Sequence, residues 1–147
     1  MPLADGEPAR AGDTWLRVIT NKKYLKADGT LTNNAFGGKA ISPPSIERPW
    51  SYEISGALRS LIDDLKAYAE NFCGERFEGF MYQRVEKLRS EEPHTDVIFT
   101  PRRGDPAHAD LVVYNLDDKF AFRDWMQENI LCVRANEVDK VDAISSS

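Results

Sequence analysis

Apolar and polar positions recur along most of the chain, and their spacing predicts a mixture of strands and helices. Residues 14–19 are rich in aromatic and β-branched side chains and predict a first strand. Residues 50–55 alternate strictly between apolar and polar, which is typical of a half-buried strand. Two further apolar segments, 96–100 and 110–114, predict another pair of strands joined by a long loop.

Helical spacing of apolar residues is clearest between positions 57 and 72, with Ser55 as the expected N-cap. A second helix is predicted over 80–89, with Pro93 beyond its end, and a third helix is predicted to start near Lys119. Strands and helices do not alternate regularly along the chain. The pattern therefore predicts an α+β fold, with a small, mainly antiparallel sheet of about four strands packed on one face by about three helices.

The 147 residues predict one domain, spanning 14–133, between a flexible leader at 1–13 and a flexible tail at 134–147. No apolar run is long enough for a membrane helix, and the N-terminus lacks the apolar region of a secretory signal, so a cytoplasmic protein without membrane contact is expected. Cys73 and Cys132 are then expected to be reduced, although a disulfide between them stays open.

Charge is spread unevenly, and this raises the question of a nucleic-acid partner. The chain has a net charge of −5, yet residues 14–48 carry six Lys or Arg against two acids. Lys22, Lys23 and Lys26 lie near Tyr24, and lysines beside an aromatic ring are able to contact phosphates and stack on a base. The pI of about 5.1 has the wrong sign for a dedicated nucleic-acid binder, so nucleic acid is the less favoured partner.

The loop at 100–109 is the first candidate site, because it joins two apolar strands and carries Arg102, Arg103, Asp105 and His108. Two adjacent arginines are able to bind a phosphate or carboxylate through paired hydrogen bonds. His108 is the weak candidate for a catalytic group, as a general acid or base. The alternative is a solvated loop whose arginines pair with local acids at little gain in stability.

A metal site is weighed and not predicted. The ligands would be His94, Asp96, His108 and Asp110, but a nine-residue loop favours antiparallel strands, which would separate the two pairs. The segment 37–39 (Gly-Gly-Lys) lacks the other residues of a phosphate loop, so no cofactor is predicted.

Two functional hypotheses follow from these patterns. The first is a small non-catalytic interaction or accessory protein that binds a protein partner or a second copy of itself, using the irregular regions 21–49 and 100–109. The second is a small hydrolase or transferase acting on a phosphorylated or nucleotide substrate, with His108 transferring the proton and Arg102 and Arg103 holding the anion. Sequence alone leaves open whether the protein is an enzyme.

Overall fold

The computed structural model describes residues 3–20, 39–42, 50–73, 77–91, 94–116 and 119–138. The strands are β1 (Thr14–Ile19), β2 (Lys39–Ser42), β3 (Trp50–Leu58), β4 (Gly79–Arg84), β5 (Ser90–Glu91), β6 (His94–Phe99), β7 (His108–Leu116) and β8 (Leu131–Arg134). The helices are α1 (Leu65–Cys73), α2 (Val85–Leu88) and α3 (Lys119–Asn129), with short 3-10 turns at Arg59–Leu61 and Ala135–Glu137. None of the helices in these ranges is long and apolar enough to cross a membrane.

One eight-stranded sheet organises the described residues. Its strands follow the order β5-β6-β7-β3-β1-β4-β8, with β2 added to β3, and every strand pairing is antiparallel. The prediction of a small sheet of about four strands is therefore wrong, although the mixture of strands and helices and the antiparallel pairing are as expected. The extra strands were missed mainly because β4 lay inside a predicted helix and β8 is only four residues long.

Helices cover both faces of the sheet, so the prediction that they pack on one face is also wrong. Trp15 and Leu16 are adjacent in β1 and therefore point to opposite faces. Trp15 belongs to a core cluster that includes Met126 in the last turn of α3 and Ile130, which directly follows the helix. Leu16 belongs to a second cluster that includes Leu65 of α1. Both faces are consequently apolar, and the sheet forms the middle layer of the fold.

The predicted helix over 57–72 is correct only in its second half. Strand β3 continues to Leu58, because Ser55, Gly56 and Ala57 pair with β7. Helix α1 starts at Leu65, and Ser55 is a strand residue rather than its cap. Asp64 caps the helix instead, since its Oδ1 accepts hydrogen bonds from the backbone N–H groups of residues 66 and 67 at 3.0 and 3.2 Å. Apolar residues at helical spacing favour a helix locally, but here the hydrogen bonds to the neighbouring strands β1 and β7 keep residues 55–58 in a strand.

The predicted helix over 80–89 is wrong for most of its length. Its first half is β4, a central strand that pairs with β1 on one side and β8 on the other. Phe80 and Tyr82 pack in one core cluster and Met81 packs in the other. A strand buried on both faces shows no alternation, which is why its apolar run resembles a buried helix. Only the single turn of α2 is helical.

The segment predicted as a flexible leader lies against β6 over part of its length. Ala9 is buried, and its N–H donates to the carbonyl of Val97 at 2.7 Å. The N–H of Gly6 donates to the carbonyl of Phe99 at 2.7 Å, and Phe99 donates in turn to Glu7 at 2.8 Å. At the other end, the predicted tail starts at Arg134, which is the last residue of β8. Residues 135–138 form a 3-10 turn and its exit, and residues 139–147 lie outside the described residues.

Candidate functional site

The ladder between β1 and β3 is short, and a cleft lies where it stops. The two strands pair only at Trp15 with Leu58 and at Leu16 with Ala57. After Leu16, β1 continues along β4. Toward its N-terminal end, β3 stays paired with β7 and pairs with β2 at residues 51–53. In the gap, Nη1 of Arg17 donates to the carbonyl of Ser55 at 2.8 Å. A guanidinium thus replaces backbone pairing at the opening of the sheet.

The loop between β6 and β7 folds back as a tight turn beside this cleft. Arg102 and Asp105 exchange two backbone hydrogen bonds of 3.0 and 2.9 Å, and Arg103 and Gly104 lie between them. Gly104 has a φ of +84°, a value that glycine adopts without steric cost. The carbonyl of Ala107 accepts a 2.9 Å hydrogen bond from the N–H of Leu58. The turn is therefore fastened to β3 as well as to its own strands.

The arginine cleft, as we name this cavity of about 570 Å³, collects four residues that the sequence singled out: Arg102, Arg103, Asp105 and His108. Arg17 and Tyr68 also line it. Three guanidinium groups thus border one opening in the sheet, against the single carboxylate of Asp105. Arg102 and Arg103 are exposed, and neither forms an ion pair with another described residue. Lys22, Lys23 and Lys26 lie outside the described residues.

His108 is 5% exposed and forms a hydrogen-bonded cluster with the side chains of Thr100 and Asp110. Its Nδ1 lies 3.0 Å from the carbonyl oxygen of Thr100 and 2.8 Å from the Thr100 hydroxyl. Because a carbonyl only accepts, Nδ1 carries the hydrogen. The Thr100 hydroxyl donates to Oδ2 of Asp110 at 3.2 Å. This bonding fixes the imidazole ring from its Nδ1 side.

The opposite nitrogen of His108 has no hydrogen-bond partner among the described residues. This atom, Nε2, is buried, and Oδ1 of Asp110 is likewise buried without a partner in the described ranges. The two atoms are 3.8 Å apart. In a neutral ring protonated at Nδ1, Nε2 is the hydrogen-bond acceptor, and it lies beside the carboxylate of Asp110. The arrangement leaves one imidazole nitrogen with an available lone pair.

Asp105 and Tyr68 form a second polar pair at the cleft. The Tyr68 hydroxyl donates to Oδ2 of Asp105 at 3.4 Å. Burial raises the pKa of Asp105, although His108, Tyr68, the Ala107 N–H and Arg102 oppose this shift. Burial, followed by the charge of Asp105, raises the pKa of Tyr68, so its hydroxyl remains a donor. Oδ1 of Asp105 is buried and lacks a hydrogen bond within the described ranges.

A second cavity of about 400 Å³, the α1 cavity, adjoins the arginine cleft. The two share Tyr68, Gly104 and Asp105 as a common wall. The rest of the α1 cavity combines apolar and acidic side chains with Asn71: Leu61, Ile62, Ala67, Pro106, Ala107, Asp63 and Asp64. Three arginines thus border one cavity, whereas the other has no arginine or lysine among its described lining residues and is bordered by apolar side chains and carboxylates.

The candidate metal ligands do not converge. Strands β6 and β7 are antiparallel, as the loop length indicates, and His94 is opposite Tyr114 rather than near His108. In the part of the chain that the structure describes, no group of three or more His, Cys, Asp or Glu side chains is arranged to hold a metal ion.

Arg17 and Tyr68 line the arginine cleft but were not predicted as site residues. Arg17 was part of a predicted strand, and the signal available was a charge inside an otherwise apolar segment. Tyr68 was assigned to the apolar stripe of a helix, and no sequence feature indicated that its hydroxyl contacts a loop 37 residues away. Their recruitment depends on strand order and on the position of α1.

Comparison of the chain with family models, with curated proteins and with solved structures finds no match. Any function must therefore be argued from the site itself.

Proposed function

We propose that the protein binds a phosphorylated small molecule in the arginine cleft and acts on it as a small hydrolase or transferase, with His108 as the proton-transfer group. The observation that carries this proposal is the convergence of Arg17, Arg102 and Arg103 on a cleft that His108 also lines. Guanidinium groups bind phosphate oxygens through charge-assisted hydrogen bonds, and a cavity of this size suits a small-molecule ligand.

The chemistry of hydrolysis would use Nε2 of His108, which is buried without a partner in the described residues, so the reacting water would have to reach it from the arginine cleft. Nε2 accepts a proton from a water molecule as the water oxygen forms a bond to phosphorus. The bond from phosphorus to the leaving oxygen breaks, and that oxygen keeps the electron pair and takes a proton from solvent. In a transferase, an acceptor hydroxyl replaces the water. The arginines would balance the charge of the phosphoryl oxygens through these steps.

Binding is tested with inorganic phosphate and pyrophosphate by titration calorimetry at low salt. Replacing Arg102 and Arg103 by alanine should weaken binding by about tenfold or more, because each charge-assisted hydrogen bond contributes about 1.5–3 kcal/mol. Arg10→Ala is the matched control, since Arg10 is exposed and does not line the cleft. Equal affinity in both variants, or no binding by the native chain, would refute an anion site.

Proton transfer is tested with His108→Asn in a phosphate-ester hydrolysis assay. The asparagine amide is able to keep the donor to the Thr100 carbonyl while removing Nε2. Turnover should fall by about 100-fold or more, as expected for loss of a general base, while pyrophosphate affinity stays unchanged. Turnover that survives in this variant would exclude the catalytic role of His108 and leave a binding protein.

A non-catalytic protein that binds a partner is the second candidate. What supports it is β8, which ends the strand path and carries Leu131 with 46% of its surface exposed. An edge strand offers backbone hydrogen bonds to another chain. Light scattering tests self-association, and a monomer at all concentrations would count against a second copy as the partner.

A further inference from the structure

The α1 cavity limits which phosphorylated molecule fits the site. It adjoins the arginine cleft through Tyr68, Gly104 and Asp105. Its volume is about 400 Å³, and a single phosphate bound in the arginine cleft would leave this volume empty. A ligand that fills both cavities must have a phosphate at one end and an organic group of considerable size at the other.

Charge fixes the direction of such a ligand. Asp105 lies in the common wall, so the other charged residues distinguish the two cavities: the arginine cleft has three arginines, whereas the α1 cavity has the carboxylates of Asp63 and Asp64. A phosphate would be repelled from the second cavity and attracted to the first. The organic end must therefore lie beside α1, where the carboxylates accept hydrogen bonds and favour a group that donates them.

The α1 cavity also has an apolar surface that is unusual for this chain. Leu61 lines it with 51% of its surface exposed, and among the described residues only Leu131 is a comparably exposed large apolar side chain. Ala67 and Pro106 extend this surface. Asp105 is 9% exposed and its Oδ1 lacks a hydrogen-bond partner in the described ranges, so a donor is missing at the common wall.

From this juxtaposition we propose that the ligand is a nucleoside phosphate whose base has an exocyclic amino group. The phosphate binds in the arginine cleft, the base packs on Leu61, and the amino group donates to the carboxylates of the α1 cavity. This extension rests on the proposed function, because the arginine cleft must first bind the phosphate.

The test is calorimetric titration of the full chain with two matched pairs, AMP against IMP and CMP against UMP, together with ribose 5-phosphate and pyrophosphate. Within each pair the ligands differ in having an amino or a keto group at one ring position. We expect the amino member of at least one pair to bind about tenfold more tightly than its keto partner. We also expect it to bind more tightly than ribose 5-phosphate, because the base adds apolar contact.

Two leucine variants locate the base. Leu61→Ser should weaken binding of the preferred nucleotide about fivefold to tenfold and leave pyrophosphate unchanged, since half of the leucine surface is available to the base. Leu131→Ser is the matched control, because Leu131 is a similarly exposed leucine that lines neither cavity. Both leucines are exposed, so neither variant should impair folding.

Failure of the extension is distinguishable from failure of the cleft. If pyrophosphate and ribose 5-phosphate bind and neither pair discriminates, or if Leu61→Ser has no more effect than Leu131→Ser, the nucleotide proposal is refuted and the anion site survives. If no phosphorylated compound binds, the proposed function and its extension are both refuted.

Discussion

Replacing Gly56 by alanine tests how the sheet is packed at the base of the arginine cleft. A Cβ atom at this position would lie 2.4 Å from Cε2 and Nε1 of Trp15 and 2.5 Å from the carbonyl oxygen of Leu16. Trp15 is fully buried and donates from Nε1 to the carbonyl of Ala109 at 3.1 Å. The indole therefore occupies the space that any side chain at residue 56 would need.

The magnitude follows from these distances. Ordinary van der Waals contact begins at 3.4 Å, so the indole must move by about 1 Å, and this displacement breaks its hydrogen bond to Ala109. Overpacking a core costs about 1–3 kcal/mol, and a buried carbonyl without its donor costs about 1–3 kcal/mol more. We expect Gly56→Ala to lower the free energy of unfolding by about 2–6 kcal/mol.

Denaturant unfolding followed by tryptophan fluorescence and circular dichroism measures this loss. Gly12→Ala is the matched control, because a Cβ at Gly12 meets nothing within 4 Å, and its effect should stay within about 0.5 kcal/mol. In a Trp15→Phe background, Gly56→Ala should cost less, yet still something, because the contact with the Leu16 carbonyl persists. Equal stability of the two glycine variants would refute the packing argument.

Three further predictions concern α1, Asp105 and Cys132. Asp64→Ala should lower stability by about 1 kcal/mol, because two N–H groups of α1 lose their acceptor. Thermal denaturation measures this loss, and an equal loss of stability in Asp63→Ala would contradict the capping role. Burial raises the pKa of Asp105 above its ordinary value of 3.8, so the native state binds more protons than the unfolded state. The resulting stabilisation is complete below that value and is lost as pH rises through the native pKa. Unfolding free energies of the native chain and Asp105→Asn, compared from about pH 3 to about pH 7, should shift in favour of asparagine, and a constant difference would be evidence against the buried carboxyl. Burial raises the pKa of Cys132 from 9.0 to about 11, so in a Cys73→Ser variant its reaction with a disulfide reagent should be much slower in folded than in unfolded protein; equal rates would show that the thiol is not shielded.

Local patterns were sufficient for several elements. Strand β1 has the residues predicted for it, β3 begins where the alternation begins, and α3 starts at the predicted Lys119. These segments present one consistent period over enough residues to identify them. The same holds for β6, which covers the predicted segment 96–100 except for its last residue, and for β7, which contains the whole of the predicted segment 110–114.

Other elements depend on contacts that no local pattern contains. Strand β4 is buried on both faces and loses the alternation that marks a strand, whereas β3 extends to Leu58 because β1 and β7 provide partners. The stretch at 3–13 has no periodicity, yet Ala9 is held by a backbone hydrogen bond to a strand almost 90 residues away. Pairing at long range supplies hydrogen bonds that local propensity does not predict.

The candidate site divides in the same way. The sequence by itself determined that Arg102, Arg103, Asp105 and His108 share one loop, because residues close in sequence stay close in space. That they bind a ligand stays a prediction. Only the tertiary structure decided that Arg17 and Tyr68 join them, since strand order opens the sheet beside β1 and places α1 over the turn. The sequence limits which side chains are available, and the pairing of distant strands decides which of them meet.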